Sequence, residues 1–169
     1  MEPDELKSEL LQKFEDWLYQ QRQIHLTQAR PLSSRERSRL DGYFEKRILD
    51  LTRVATIDQI PNPAFYDELR EREIPIPMDF TSAIGFTLID CVLLQKGFRS
   101  ISTLFHEMVH VVQMDLLGVR KLVELYFDDL AKNGYQNVLF ERQAYDLTTR
   151  FTCGQSFSVR EILEKELCL

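Results

Sequence analysis

Apolar residues in the first fifty positions recur at steps of three and four. Leu6, Leu10, Leu11, Phe14, Trp17 and Leu18 form one stripe, which predicts a helix over about 4–28 packed into a core. Pro31 closes that segment. The run "SSRE" then offers Ser33 as an N-cap and Glu36 as its reciprocal partner. A second helix is predicted over 34–51, burying Leu40, Phe44, Ile48 and Leu51. After it the pattern changes. "RVATID" is short and β-branched and predicts a strand at 53–58. Pro63 is placed to open a short helix through "AFYDELRER". Pro75 and Pro77 keep "EIPIPMDF" extended or irregular. "GFTLIDCVLLQ" predicts a hairpin, with strands at 85–88 and 91–95 around Ile89 and Asp90; a single uninterrupted strand is the alternative.

Helical periodicity then returns. Helices are predicted over 100–117, ended by Gly118, over 119–132, stopping at Asn133-Gly134, and over 136–151. A short C-terminal helix starts at Ser158, with Glu161 as its capping partner. The sum is an α+β fold, mostly helical, with a small antiparallel sheet next to the helix at 100–117. The 169 residues fit one domain, 1–169, read as an N-terminal helical part (1–52), a core (53–152) and a C-terminal helix (153–169).

Composition narrows the function classes. A net charge of −6 with scattered basic residues argues against a nucleic-acid partner, which needs a basic surface. No run approaches the ~18 apolar residues of a membrane span. The acidic start "MEPDELKSEL" carries no secretory signal. Cys91, Cys153 and Cys168 are sparse and form no CxxC, which fits a reducing, cytoplasmic setting and argues against a thiolate zinc site.

The chemistry concentrates in "TLFHEMVHVVQ", residues 103–113. On a helix, residues four apart stack one above the other, so His106 and His110 can point ring nitrogens at one ion. Glu107 is turned about 100° away and lies beside that ion, where it can hold a water and take its proton. The surrounding Leu104, Phe105, Met108, Val109, Val111, Val112 and Leu116 predict a buried helix, in which unpartnered imidazoles and a carboxylate are costly. The plain alternative is two histidines satisfied within the core.

Catalytic zinc takes three protein ligands. Candidates for the third are His25, Asp115, Glu124, Asp128, Asp129, Glu141 and Asp146. Asp115 lies five residues past His110 and points elsewhere, and His25 sits among Gln21 and Gln28 on a half-exposed face. Glu124 and Asp128 share a solvated face. Glu141 falls on a stripe with Val138, Tyr145 and Thr148, so its carboxylate faces the core and needs a cation. It is favoured.

"HEMVH" followed by "FERQAY" resembles the gluzincin pattern of zincin metallopeptidases, in which HExxH is joined by a glutamate on a later helix. The longer stretch "LFHEMVHVVQMDLLGV…YFDDLAKNGYQNVLFERQAY" resembles a group of small bacterial HExxH proteins with an LFHELVHVVQ-type motif, over about 53–152. That resemblance implies a zincin-like minimal metallopeptidase with His106, His110 and Glu141 on Zn2+ and Glu107 as catalytic base. It also matches Gln113 and Tyr145 to motif positions. Glu141 follows His110 by 31 positions (141 − 110), farther than in thermolysin, and Tyr145 stands where thermolysin has an aspartate.

The leading expectation is therefore a zinc-dependent peptidase acting on a peptide or protein, with a regulatory protein partner conceivable for so small a chain. Tyr126, Tyr135 and Tyr145 are candidate oxyanion donors, and the hairpin edge could receive substrate as an added strand. The alternatives are a non-hydrolytic zinc-bound structural or interaction domain and a metal-free helical binding domain. Imidazole and carboxylate also accept iron, nickel and cobalt.

Overall fold

The computed structural model describes residues 3–74, 76 and 78–169; Pro75 and Pro77, on which the expectation for 73–80 rests, lie outside the described residues. Helix α1 (Pro3–Leu26) leads through β1 (Arg30–Pro31), α2 (Ser34–Leu40) and α3 (Lys46–Leu51) to β2 (Arg53–Ile57). Helix α4 (Tyr66–Glu71) and a 3-10 turn (Phe80–Ser82) precede β3 (Gly85–Leu88) and β4 (Cys91–Gln95). Then come α5 (Ile101–Leu117), α6 (Val119–Asn133), a 3-10 turn (Tyr135–Asn137), α7 (Leu139–Thr152) and α8 (Val159–Leu167). The fold is α+β and mostly helical. Among the described residues, no helix is long and apolar enough to cross a membrane.

The four strands lie in the order β1-β2-β4-β3. β3 and β4 form the predicted antiparallel hairpin, but β2 and β4 run parallel, with Val54 opposite Val92. The sheet is therefore mixed, which corrects the antiparallel expectation. Alternation along a strand specifies which face is buried, not which way its neighbour runs. Here α4 and β3 intervene between β2 and β4, and that connection returns the chain in the same direction.

β4 is central and buried on both sides, so its alternation divides two cores. Val92 and Leu94 face Phe105, Val109, Val112 and Leu147. Cys91 and Leu93 face Trp17, Leu18, Tyr66 and Phe80. The Trp17 stripe is thus core packing, with Trp17 only 6% exposed. The terminal segments pack onto the middle of the chain: α1 covers the sheet and α6, while α8 packs on α5. Phe105 of α5 stacks on Phe151 of α7 with ring centroids 4.3 Å apart.

The single helix predicted over 34–51 is two. The Ser33–Glu36 capping box forms, but α2 ends when the Asp41 N–H caps Arg37 O at 2.8 Å and Gly42 turns to φ +82°. That backbone conformation suits glycine and stops the helix. Leu40, Phe44 and Ile48 remain buried across the break. The hairpin turn carries its own strain: Ile89, a β-branched residue, sits at φ +66°. Arg22 of α1 holds the next residue by donating to both oxygens of Asp90, at 2.5 and 2.8 Å.

Candidate metal centre

Helix α5 begins where Ser100 Oγ accepts the Thr103 N–H at 3.0 Å and ends at Gly118, φ +76°. Between those caps Leu104, Phe105, Met108, Val109, Val111 and Val112 fill the core. The fourth side of the helix carries the polar groups. His106 Nε2 and His110 Nε2 lie 3.3 Å apart. Glu141, from the first turn of α7, brings Oε2 to 3.5 Å from His106 Nε2 and Oε1 to 3.6 Å from His110 Nε2. Four donors at 2.0–2.1 Å around a tetrahedral ion stand about 3.3 Å from one another. The two histidine nitrogens stand at that edge length, and each is approached by a different oxygen of Glu141; taking one ligand atom from each residue, all three lie within 4.8 Å of one another. Two imidazole nitrogens and a carboxylate oxygen are also the donor set of a divalent transition metal. The group can hold a metal ion.

Neighbouring groups position Glu141 and His110. Asp129 of α6 accepts the Leu139 N–H at 2.6 Å and ties the start of α7 to α6. A carboxylate in the first turn of α7 is favoured there by the helix dipole. Gln113, fully buried one turn past His110, donates from Nε2 to the Phe140 carbonyl at 3.1 Å. A carbonyl can only accept, so the Gln113 Oε1 faces His110 Nδ1, at 2.7 Å. His110 Nδ1 must then carry a proton, so Nε2 is the ring nitrogen that faces the centre.

The two carboxylates of the site differ in state. Burial would raise the Glu141 carboxyl, but His110, His106 and the Tyr126 hydroxyl outweigh it and hold it down at about 2. Tyr126 donates to Glu141 Oε1 at 3.0 Å and Tyr135 to Oε2 at 3.2 Å. Burial pushes the Glu107 carboxyl up to about 7, only partly offset by His110 and Thr87. Thr87 Oγ1 of β3 lies 2.8 Å from both the Glu107 carbonyl and its Oε2. Gly85 of the same strand makes room: a Cβ there would stand 2.6 Å from Glu107 Oε1.

The structure therefore brings His106, His110 and Glu141 together, with Glu107 beside them. The other candidate ligands are engaged elsewhere. Asp115 pairs with Arg47 and Arg160, Glu124 with Lys121, Asp128 with Lys7 and Asp146 with Arg150. Asp129 caps α7, and His25 Nδ1 lies 3.4 Å from Gln28. Among the three tyrosines, Tyr126 and Tyr135 touch Glu141, whereas Tyr145 lies over the His106 ring at 4.6 Å and is 56% exposed. Gly85 and Thr87 were not singled out by sequence reasoning. A glycine opening a strand otherwise rich in apolar residues, followed two positions later by a threonine on the same face, was the signal available.

An open cleft of about 500 Å³, bordered by Ile84, Tyr135, Tyr145 and Thr148, reaches His106 and Glu107 from solvent. A more closed apolar pocket of about 110 Å³ adjoins the same residues, with Phe14, Leu18, Phe80, Phe86 and Phe127 in its walls. No family profile, curated protein or solved structure matches this chain.

Proposed function

We propose that this chain is a zinc-dependent peptidase with a minimal gluzincin-like site. The observation that carries the proposal is the convergence of His106, His110 and Glu141, with one ligand atom from each within 4.8 Å of the others and Glu107 buried beside them. Zinc bound there supplies Lewis acidity, polarising a carbonyl and lowering the pKa of water toward ~7.

The chain's own residues do the rest. Glu107, its carboxyl pushed toward neutrality by burial, takes a proton from water and passes it to the leaving nitrogen. Thr87 and the gap at Gly85 fix where that carboxylate stands. Glu141, held ionised, stays a ligand through the cycle. Tyr135 borders both the cleft and the pocket and is 41% exposed, so its hydroxyl is the one placed to leave Glu141 and donate to a developing oxyanion. β3 is one of the two edge strands of the sheet, and it is the edge beside Glu107 where an extended peptide would add. The adjoining apolar pocket suits a hydrophobic side chain of that peptide.

The test is Glu107→Gln assayed against a peptide library, alongside metal analysis. Zinc content is expected to be retained while hydrolysis falls by about 10²–10⁴-fold, the usual contribution of a general base. Hydrolysis at the wild-type rate would remove Glu107 from this role. Stoichiometric zinc with no cleavage by the wild type would favour a non-hydrolytic zinc module.

A further inference from the structure

The amide of Gln113 is anchored twice, and the second anchor leads away from the site. Besides the Phe140 carbonyl, Gln113 Nε2 donates to Gln143 Oε1 at 3.0 Å. Gln143 is itself buried, 5% exposed, and its Nε2 donates to Glu166 Oε2 of α8 at 3.0 Å. Glu166 is the acceptor of this bond, so the Gln143 nitrogen is turned outward and its oxygen inward. Every donor in the chain then points the same way: His110 to Gln113, Gln113 to Gln143, Gln143 to Glu166. Neither amide can flip without setting donor against donor or oxygen against oxygen.

We propose that Gln143 and Glu166 are positioning residues for His110, forming a one-way hydrogen-bond chain from α8 through α7 to α5 that locks the imidazole with Nε2 free to bind metal. The inference rests on the metal-centre reading above. It gives the C-terminal helix, which lies outside the HExxH region, a role in metal affinity. Removing the acceptor at 143 leaves one Gln113 N–H unpaired in the core and lets the Gln113 amide and the His110 ring reorient together.

The test uses the full chain stripped of metal, titrated with zinc against a chromophoric chelator and with cobalt(II) for its visible spectrum. Gln143→Leu is expected to weaken zinc about tenfold or more and to alter the cobalt bands. A purely structural role would lower the melting temperature of the metal-free protein and leave the cobalt spectrum as it is. Glu166 is exposed, so Glu166→Ala leaves the fold intact and weakens zinc by about two- to threefold. Glu166→Gln, whose amide oxygen accepts the same bond, restores the wild-type affinity. Wild-type affinity and spectrum in Gln143→Leu overturn the inference. If that variant does not fold, unchanged zinc affinity in Glu166→Ala overturns it instead. A wild-type chain that takes up neither metal overturns the metal centre and the relay with it.

Discussion

Glu107 and Glu141 face the same site and are equally hidden, each 6% exposed, yet they are driven in opposite directions. Burial pushes Glu107 up to about 7, whereas Glu141 is held at about 2. The difference lies in the two walls. Glu107 feels His110 from across the site, but its own sheet wall offers it one hydroxyl, from Thr87. The helical wall surrounds Glu141 with two imidazoles and two tyrosine hydroxyls. Burial alone does not decide a carboxyl's state; the donors that accompany it do. In the proposed reaction this divides the labour, with a proton acceptor poised near neutrality on one wall and a permanent anionic ligand on the other.

The largest effect is expected from breaking the helical wall. Zinc sites with four ligands bind with ~10–16 kcal/mol, so losing one ligand is worth roughly 3 kcal/mol, or about 100-fold in affinity. Glu141→Ala should lose zinc by about that factor in a chelator competition, and the rise in melting temperature that zinc gives the wild type should largely vanish. On the sheet wall the corresponding break is Gly85→Ala. The added Cβ, 2.6 Å from Glu107 Oε1, must displace that carboxylate. Activity should fall by about 10–100-fold with zinc affinity unchanged, since a misplacement of ~1 Å at a catalytic group costs about that much. A drop in zinc affinity instead would mean that the two walls are not separable.

How much of this was legible in the sequence follows from how local each signal is. His106, Glu107 and His110 share one turn of helix, so their relation is set by helix geometry alone. Glu141 was legible because its stripe on α7 marked it as facing inward. Gly85 and Thr87 act only through the packing of β3 against α5, and no spacing within either element encodes that. The parallel pairing of β2 and β4 was hidden for the same reason, since the hydrophobic pattern of a buried strand is the same in either direction. The break between α2 and α3 was written in Asp41-Gly42, but the apolar spacing of Leu40, Phe44 and Ile48 continues across it and masks the stop. Gln143 lies within "FERQAY" and Glu166 in the last helix, but no spacing marks them as partners; the hydrogen-bond directions become visible only when three helices are assembled.

A subtler change sharpens the comparison. Thr87→Val keeps the shape of the sheet wall and removes its one hydroxyl. That hydroxyl favours the charged form of Glu107, so its loss raises the carboxyl further above its ordinary range. A base works when deprotonated, so the acidic limb of the pH–rate profile should move to higher pH, by about one unit for a hydrogen bond to a charged group. A limb that stays in place would assign it to a group other than Glu107.

The smallest effect comes from a carboxyl that reaches the same value as Glu141 by another route. Glu36 is held at about 2 chiefly by Arg30, against burial, with help from Ser33. Arg30 donates to both its oxygens at 2.7 Å and the Ser33 N–H to Oε2 at 2.8 Å. Its folded value lies below its ordinary 4.5, so its stabilisation is fully present above that value and is lost as pH falls toward about 2. Glu36→Gln should therefore destabilise by about 1 kcal/mol at pH 7, the scale of a helix cap with a partly exposed ion pair. The gap between the two proteins should close in urea titrations as the solution is acidified through that window. Zinc should leave the gap at pH 7 unchanged, because a guanidinium and a serine, not the imidazoles of the site, set this carboxyl. A gap that widens or narrows with zinc at pH 7 would show that the helix cap and the metal centre are coupled, and that the donors beside each carboxyl are not independent.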